Sequence, residues 1–278
     1  VVELGVAQAF VDRRIIPAVI AGASAGGIAA AAHALDPAGG AGVRMGAKLL
    51  GGMRNSTVGL DPLSFVERAA IQRAHLKSIG DHAPVKPLIQ KALHDELGLD
   101  AVTIGDFKPP DRPLLRIVAT NRLDGTSVWF PDDVGIEDAI LASAAIPGIF
   151  PWQTFKVGDD ELTLVDGGVV DNQPLSKLAL DGCGTIFAVA VGYSGGSAPP
   201  PSNLVDNLQQ SFYMAMHQST KLEEEFINAR LGGKIAINHL HPKVQTPISG
   251  FDFTPDLVAQ IMEEARSLTD AWLVKLGY

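Results

Sequence analysis

The chain has 278 residues, 46% of them hydrophobic, and a net charge of -9 at pH 7 with a pI near 5.2. Such a length can bury one large core without demanding a second, and an acidic chain with no lysine or arginine cluster argues against nucleic acid and against electrostatic capture by anionic lipid. A single cysteine, Cys183, rules out an intrachain disulfide framework and a multi-cysteine metal site, and apolar runs such as 139–150 are broken by serine, proline and glycine short of a bilayer's width.

In chain order, Leu4, Val6, Ala7, Phe10 and Val11 recur at helical spacing and predict a helix over 3–14. Pro17-Ala18-Val19-Ile20-Ala21 reads as a buried strand, Gly22 to Gly27 as a cramped turn, and the alanine-rich 28–35 as a helix. Gly39-Gly40-Ala41-Gly42, followed by Arg44, reads as an ordinary connection. Further strands are predicted at 114–120, 162–165, 185–191 and 234–238, several of them apolar on successive residues, as strands covered on both faces are. Helical patterns lie at about 61–79, 85–98, 136–145 and 203–230. A last helix from Pro255 to Leu276 is punctuated by Thr254 as cap, Pro255 in its first turn and Gly277 past its end. Asp124-Gly125 and Asp166-Gly167-Gly168 read as hairpin turns, and 194–202 as a surface loop. The alternation predicts an α/β layered fold, one domain over 1–278.

Ser24 is the centre of Gly22-Ala23-Ser24-Ala25-Gly26, after a strand and before a helix. A turn of this kind lifts a hydroxyl clear of the sheet, and glycines two residues to either side leave room for its strained backbone, so Ser24 reads as a nucleophile. It needs a base. His33, His75, His82, His94 and His217 fall among charged or polar neighbours on helical patterns and read as solvated or structural side chains. His239 and His241 end a predicted strand, and Ser24, Asp166 and His239 follow the chain order of an α/β-hydrolase triad. In that fold several strands precede the elbow, whereas a helix and one short strand fill the residues before Ser24. Asp166 is the better partner, although an aspartate before two glycines also serves a plain turn. A dinucleotide-binding reading of Gly22 to Gly27, with Asp36 downstream, would put the Ser24 side chain where a pyrophosphate needs glycine. The acidic runs Asp159-Asp160-Glu161 and Glu223-Glu224-Glu225 lack ligand spacing and read as solvated faces, so no metal or cofactor is expected.

Taken together, five ordered motifs resemble the patatin-like lipid acyl hydrolases over residues 5 to about 175. They are the elbow Gly22 to Gly26, the phrase Val118-Ala119-Thr120-Asn121 before a hairpin, the small-residue tract Ala142-Ser143-Ala144-Ala145-Ile146-Pro147-Gly148-Ile149-Phe150-Pro151, Asp166-Gly167-Gly168, and Asn172 with Pro174. The resemblance implies a three-layer α/β/α sandwich with a largely parallel central sheet. It implies a serine–aspartate dyad without histidine, Ser24 as nucleophile and Asp166 as base, acting on phospholipid, lysophospholipid or simpler acyl esters. An aspartate of ordinary pKa, near 3.9, is a feeble base for a hydroxyl, so the helix after Ser24 must help, its Ala25 backbone N–H donating to the growing oxyanion. The family pattern also calls for a first strand and a glycine-rich oxyanion loop ahead of the helix that starts near Leu4. The chain shows neither, and the remaining donors are expected upstream of Val1. If that loop is truly missing, a patatin-fold binding or regulatory protein is the alternative.

An acyl pocket is expected from Ile146, Ile149, Phe150, Trp152 and Phe155, which otherwise read as core. Phe212, Tyr213, Met214 and Met216 would suit an adaptable lipid-facing surface. The expected partners are a lipid or small acyl-ester substrate, with peripheral membrane contact and no nucleic acid. Localisation is expected to be cytoplasmic or at the membrane periphery, with secretion left open because the chain begins at Val1 without a methionine.

Overall fold

The computed structural model describes residues 1–61, 78–157, 160–191, 200–201, 204–247 and 251–278. The first elements follow from local chemistry. Helix α1 (Val2–Asp12) leads through residues 13–18 into strand β1 (Val19–Ala23), and α2 (Ala25–Leu35) begins one residue after that strand ends. Ala29 to Ala32 and Ala34 are all buried; a helix that is apolar on nearly every side belongs inside, and its small side chains let it lie close on β1 and β2.

Helix α3 (Ala41–Gly51) occupies the segment expected to be a plain connection. Two features make the difference. The Asp36 carboxylate accepts the Gly39 and Ala41 N–H groups at 2.9 and 2.8 Å, and a Cβ on Gly42 would sit 2.1 Å from the Ala32 carbonyl oxygen, so the glycine is where α2 and α3 touch. Asp36 is therefore engaged in a helix start, which removes it as the acid of a dinucleotide site.

Then follow α4 (Val85–Leu97), β2 (Leu114–Asn121), β3 (Ser127–Trp129) and α5 (Ile136–Ser143). The chain continues through β4 (Gln153–Val157), β5 (Asp160–Asp166), α6 (Leu175–Leu180) and β6 (Thr185–Val189). It ends with α7 (Leu204–Leu231), β7 (Ala236–Leu240) and α8 (Pro255–Leu276). The pattern expected over 61–79 lies outside the described residues apart from its ends.

The main sheet runs β1-β2-β5-β4 with β3 also on β2, and β6-β7 form a second, two-stranded sheet. The β1–β2 and β6–β7 pairs are parallel; β2–β3, β2–β5 and β4–β5 are antiparallel. The sheet is thus mixed, and the physical reason is in its connections, since two short returns make hairpins where a parallel neighbour would require a long crossover. The Asp124-Gly125 hairpin joins β2 to β3. Asp166-Gly167-Gly168 is not a hairpin: Gly167–Val169 form one 3-10 turn that sends the chain on toward α6.

Leu115, Ile117 and Ala119 of β2 point into a core shared with α2, α3, α4, α5 and Leu164 of β5. Each fully buried leucine or isoleucine contributes about 2 kcal/mol to holding these layers together. On the opposite face Arg116 of β2 pairs with Asp181, just past α6, at 2.9 Å, and α6, β6 and α7 share a second core around Leu175, Ile186 and Ile227. Helix α8 closes the molecule against α1 through Val2, Ile261 and Ala265, capped by Thr254 as its sequence predicts. No helix among the described residues is long and apolar enough to cross a membrane.

Candidate active site

Strand register brings Ser24 and Asp166 to one place. Ala23, the last residue of β1, pairs with Val118, and the next residue of β2, Ala119, pairs with Asp166 at the end of β5. The two residues therefore leave the same end of the sheet on either side of β2, two strand spacings apart, roughly 10 Å between backbones. Side chains directed toward one another close that gap.

Ser24 holds φ +54° and ψ -124° between strand and helix. For a residue with a Cβ this is costly, on the order of 1–3 kcal/mol, and persists only where the surroundings enforce it. One glycine is part of that enforcement. A Cβ on Gly22 would lie 2.2 Å from the Gly26 carbonyl oxygen, whereas a Cβ on Gly26 would meet nothing within 4 Å. The flanking glycines are thus unequal, and only Gly22 is demanded by close approach. Thermal denaturation is expected to show Gly22→Ala losing about 3 kcal/mol or more, with Gly26→Ala neutral or up to about 1 kcal/mol more stable.

Asp166 is 2% exposed. Its Oδ1 accepts the Gly168 N–H at 2.8 Å, and its own N–H donates to the Ala145 carbonyl at 3.0 Å. The Thr120 hydroxyl donates to the Asp166 carbonyl at 2.9 Å. A Cβ on Gly167 would fall 2.1 Å from the Val118 carbonyl oxygen, so this glycine lets the chain turn flat against β2. Burial pushes the Asp166 carboxyl up to about 6, opposed by the Ser24 hydroxyl and the Gly168 N–H, which favour its charged form. Ser24 thus faces the carboxylate, yet the contact is wider or less aligned than a closed hydrogen bond: Oδ2 has no hydrogen-bond partner among the described residues. Such contacts often tighten only when substrate is bound.

Helix α2 starts at Ala25, which is exposed, and the first amides of a helix have no intrahelical acceptor. The Ala25 N–H therefore has no acceptor within its own helix.

His239 is elsewhere. It lies on β7, with Nε2 3.1 Å from Glu224 Oε1 and its ring stacked parallel to that of His241, and the groups that act on Asp166 are Ser24 and Gly168. The α/β-hydrolase ordering was a coincidence of sequence. His33 and His82 are buried rather than solvated, and burial lowers both pKa values, that of His33 to about 4.

The five residues expected to wall an acyl pocket are divided. Ile146, Ile149 and Phe150 pack with Val58 and Phe253, Trp152 lies under the Arg122 guanidinium at 5.1 Å, and Phe155 turns into the main core, its ring 5.4 Å from that of Phe130. Trp152 and Phe155 fall at and on β4, where alternation sends side chains to different faces, so sequence proximity did not become one wall. A cavity of about 490 Å³ lies instead on the far edge of β1, between residues 17–23 and the β6 segment 182–189, roofed by α1 and α2. The buried His33 and Gln173 line it, and their Nε2 atoms have no partner among the described residues. Among those residues β1 pairs with β2 alone and β6 with β7 alone, so two strand edges face each other across this slot.

The acidic run at 223–225 is not one solvated face. Glu223 is half-buried on α7, accepts the Ser176 N–H at 2.6 Å and is raised by burial. Beside it Asp171 is pushed up to about 7 by burial and by the Glu223 charge. Met216 of α7 reaches Gly168, so α7 covers the turn that carries Asp166. Tyr213 and Met214 are each 42% exposed, and nothing is described of the Phe212 side chain. No cluster of three metal-ligating side chains occurs among the described residues.

The parallel β1–β2 pair, the strained serine between strand and buried helix, and the layered arrangement of helices over the sheet place the chain among α/β proteins that present a serine on an elbow. Within that class it belongs to the patatin-like phospholipases: the model of that family, Patatin-like phospholipase, matches residues 1–180, from α1 through α6. Members of the family are lipid acyl hydrolases, and the three-layer α/β/α architecture is theirs. No curated protein matches the chain.

Proposed function

We propose that the protein is a lipid acyl hydrolase that cleaves carboxylic esters through an acyl-Ser24 intermediate, with Asp166 as the proton acceptor. The observation that carries this reading is the buried Asp166 carboxyl, raised to about 6 and facing a hydroxyl held on a strained elbow. At an ordinary pKa the carboxylate would be too weak a base; at about 6 it is ionised at neutral pH and closer to the pKa that proton transfer favours.

In the first half-reaction Ser24 Oγ bonds to the ester carbonyl carbon while its proton passes to Asp166. The tetrahedral intermediate then expels the alcohol, which takes that proton from Asp166. In the second, a water attacks the acyl-serine, gives its proton to Asp166, and the collapse returns the proton to Ser24 and releases the carboxylic acid. The Ala25 N–H and the positive end of α2 stabilise the oxyanion; one such donor is worth on the order of 3 kcal/mol. Further donors are expected ahead of α1, and the slot beside β1 supports that expectation, because a strand seated there would satisfy both open edges and end beside Ser24. The exposed Tyr213, Met214, Leu222 and Phe226 of α7 are the surface proposed to meet lipid.

The test is reaction of the purified protein with a fluorophosphonate probe and with a short-chain chromogenic ester. Covalent labelling mapped to Ser24, with ester turnover, is the expected result. A folded protein that does neither is the binding or regulatory alternative.

A further inference from the structure

One three-residue segment holds both members of the Ser24–Asp166 pair. At the end of α5 the Ser143 hydroxyl oxygen accepts the Ser24 backbone N–H at 2.9 Å, and two residues on, the Ala145 carbonyl accepts the Asp166 N–H at 3.0 Å. Ser143 and Ala145 are both 0% exposed, so neither contact can be exchanged for one to bulk water. The Ser24 contact falls on the residue that carries the strained φ, and Ser143 Oγ lies 3.4 Å from where a Cβ on Gly27 would be, in the angle between elbow and helix.

We infer that Ser143 is a positioning residue for the reaction proposed above, on which this role rests. Its hydroxyl fixes the backbone of Ser24 in register with Asp166, so that Oγ and carboxylate come within proton-transfer reach. It touches neither reacting atom. Without it, the Ser24 N–H loses its acceptor and the elbow can relax toward ordinary dihedrals, carrying Oγ away from the carboxylate; small displacements of this kind slow the chemistry while leaving substrate binding alone. The hydroxyl stands in a run of alanines, Ala142 and Ala144-Ala145, where packing alone would accept another alanine.

The experiment compares the parent protein with Ser143→Ala and Ser143→Cys in ester hydrolysis and fluorophosphonate labelling, with circular dichroism to report folding. For Ser143→Ala the expected result is a kcat lower by about 10- to 100-fold, KM within about two-fold, and labelling slowed by the same factor as kcat. The pH midpoint should move upward from the parent's, because a displaced Ser24 hydroxyl no longer favours the charged form of Asp166 while its burial is unchanged. Ser143→Cys, which keeps a weak and longer-reaching acceptor, should fall between the two, and it carries the test if the alanine variant does not fold. A folded Ser143→Ala with parent rates, or a Ser143→Cys as fast as the parent, overturns the role. A parent that neither turns over ester nor takes the probe removes the hydrolase reading and this role with it; a reactive parent beside an equally reactive variant removes the role alone.

Discussion

Ser24→Ala is expected to abolish ester turnover and fluorophosphonate labelling, with kcat falling on the order of 10⁴-fold or more, while the fold and its melting temperature stay close to the parent's. In the proposed mechanism the acyl group bonds to an oxygen at that position, and the buried hydroxyls of Ser143 and Thr120 are engaged with the Ser24 backbone N–H and the Asp166 carbonyl. Stability should hardly move, because the Ser24 side chain is only half-buried and makes no closed hydrogen bond to the carboxylate. The strain lies in the backbone at φ +54°, which alanine inherits unchanged. Retention of more than a few per cent of parental activity in a clean preparation would remove Ser24 from the mechanism.

Asp166→Asn is expected to separate activity from stability, and pH makes the separation measurable. Folding raises this carboxyl from its model-peptide range to about 6 through burial. A carboxyl raised in the folded state favours the fold only while it is protonated, so its ionisation costs stability as pH rises through about 6, and the cost is complete above that. A shift of about two units corresponds to about 3 kcal/mol. Asparagine keeps the shape, can still accept the Gly168 N–H, and carries no charge. The variant should therefore be the more stable protein at pH 8, melting several degrees higher, and should converge with the parent near pH 4. Asp171 and Glu223 are raised in the same direction, but both remain in the variant, so the difference between the two proteins isolates Asp166. Turnover in the parent should rise with pH through about 6 and then level, and in Asp166→Asn it should be near background throughout. Full turnover in the variant, or an identical pH dependence of melting, would count against a buried general base at 166.

Much of the site could be read from the residues because it sits in local motifs. An elbow serine announces itself by glycine and by its place between an apolar run and an alanine-rich helix, and the start and end of α8 by Thr254 and Gly277. Other features could not be read locally. Helix α3 depends on the Asp36 cap and on Gly42 meeting Ala32, a contact made only when two helices pack. Strands β3 and β4 are edge strands whose side chains carry weak patterns, and they gain their place by pairing with β2 and β5. The aromatic residues near 150 were close in sequence, but the faces of β4 and the turn after α5 sent them to different neighbours.

By itself the amino-acid sequence determined which atoms are available for chemistry and where most of the helices and strands around the elbow lie, since glycine, proline, alanine and β-branched residues act on the backbone within a few positions of themselves. The tertiary structure alone decided what those atoms can do. The basicity of Asp166 is a property of the dry space around it, supplied by chain segments far away in sequence, and its meeting with Ser24 across β2 depends on strand register. The grip of Ser143 on the elbow joins residues 119 positions apart, a distance over which no local preference reaches.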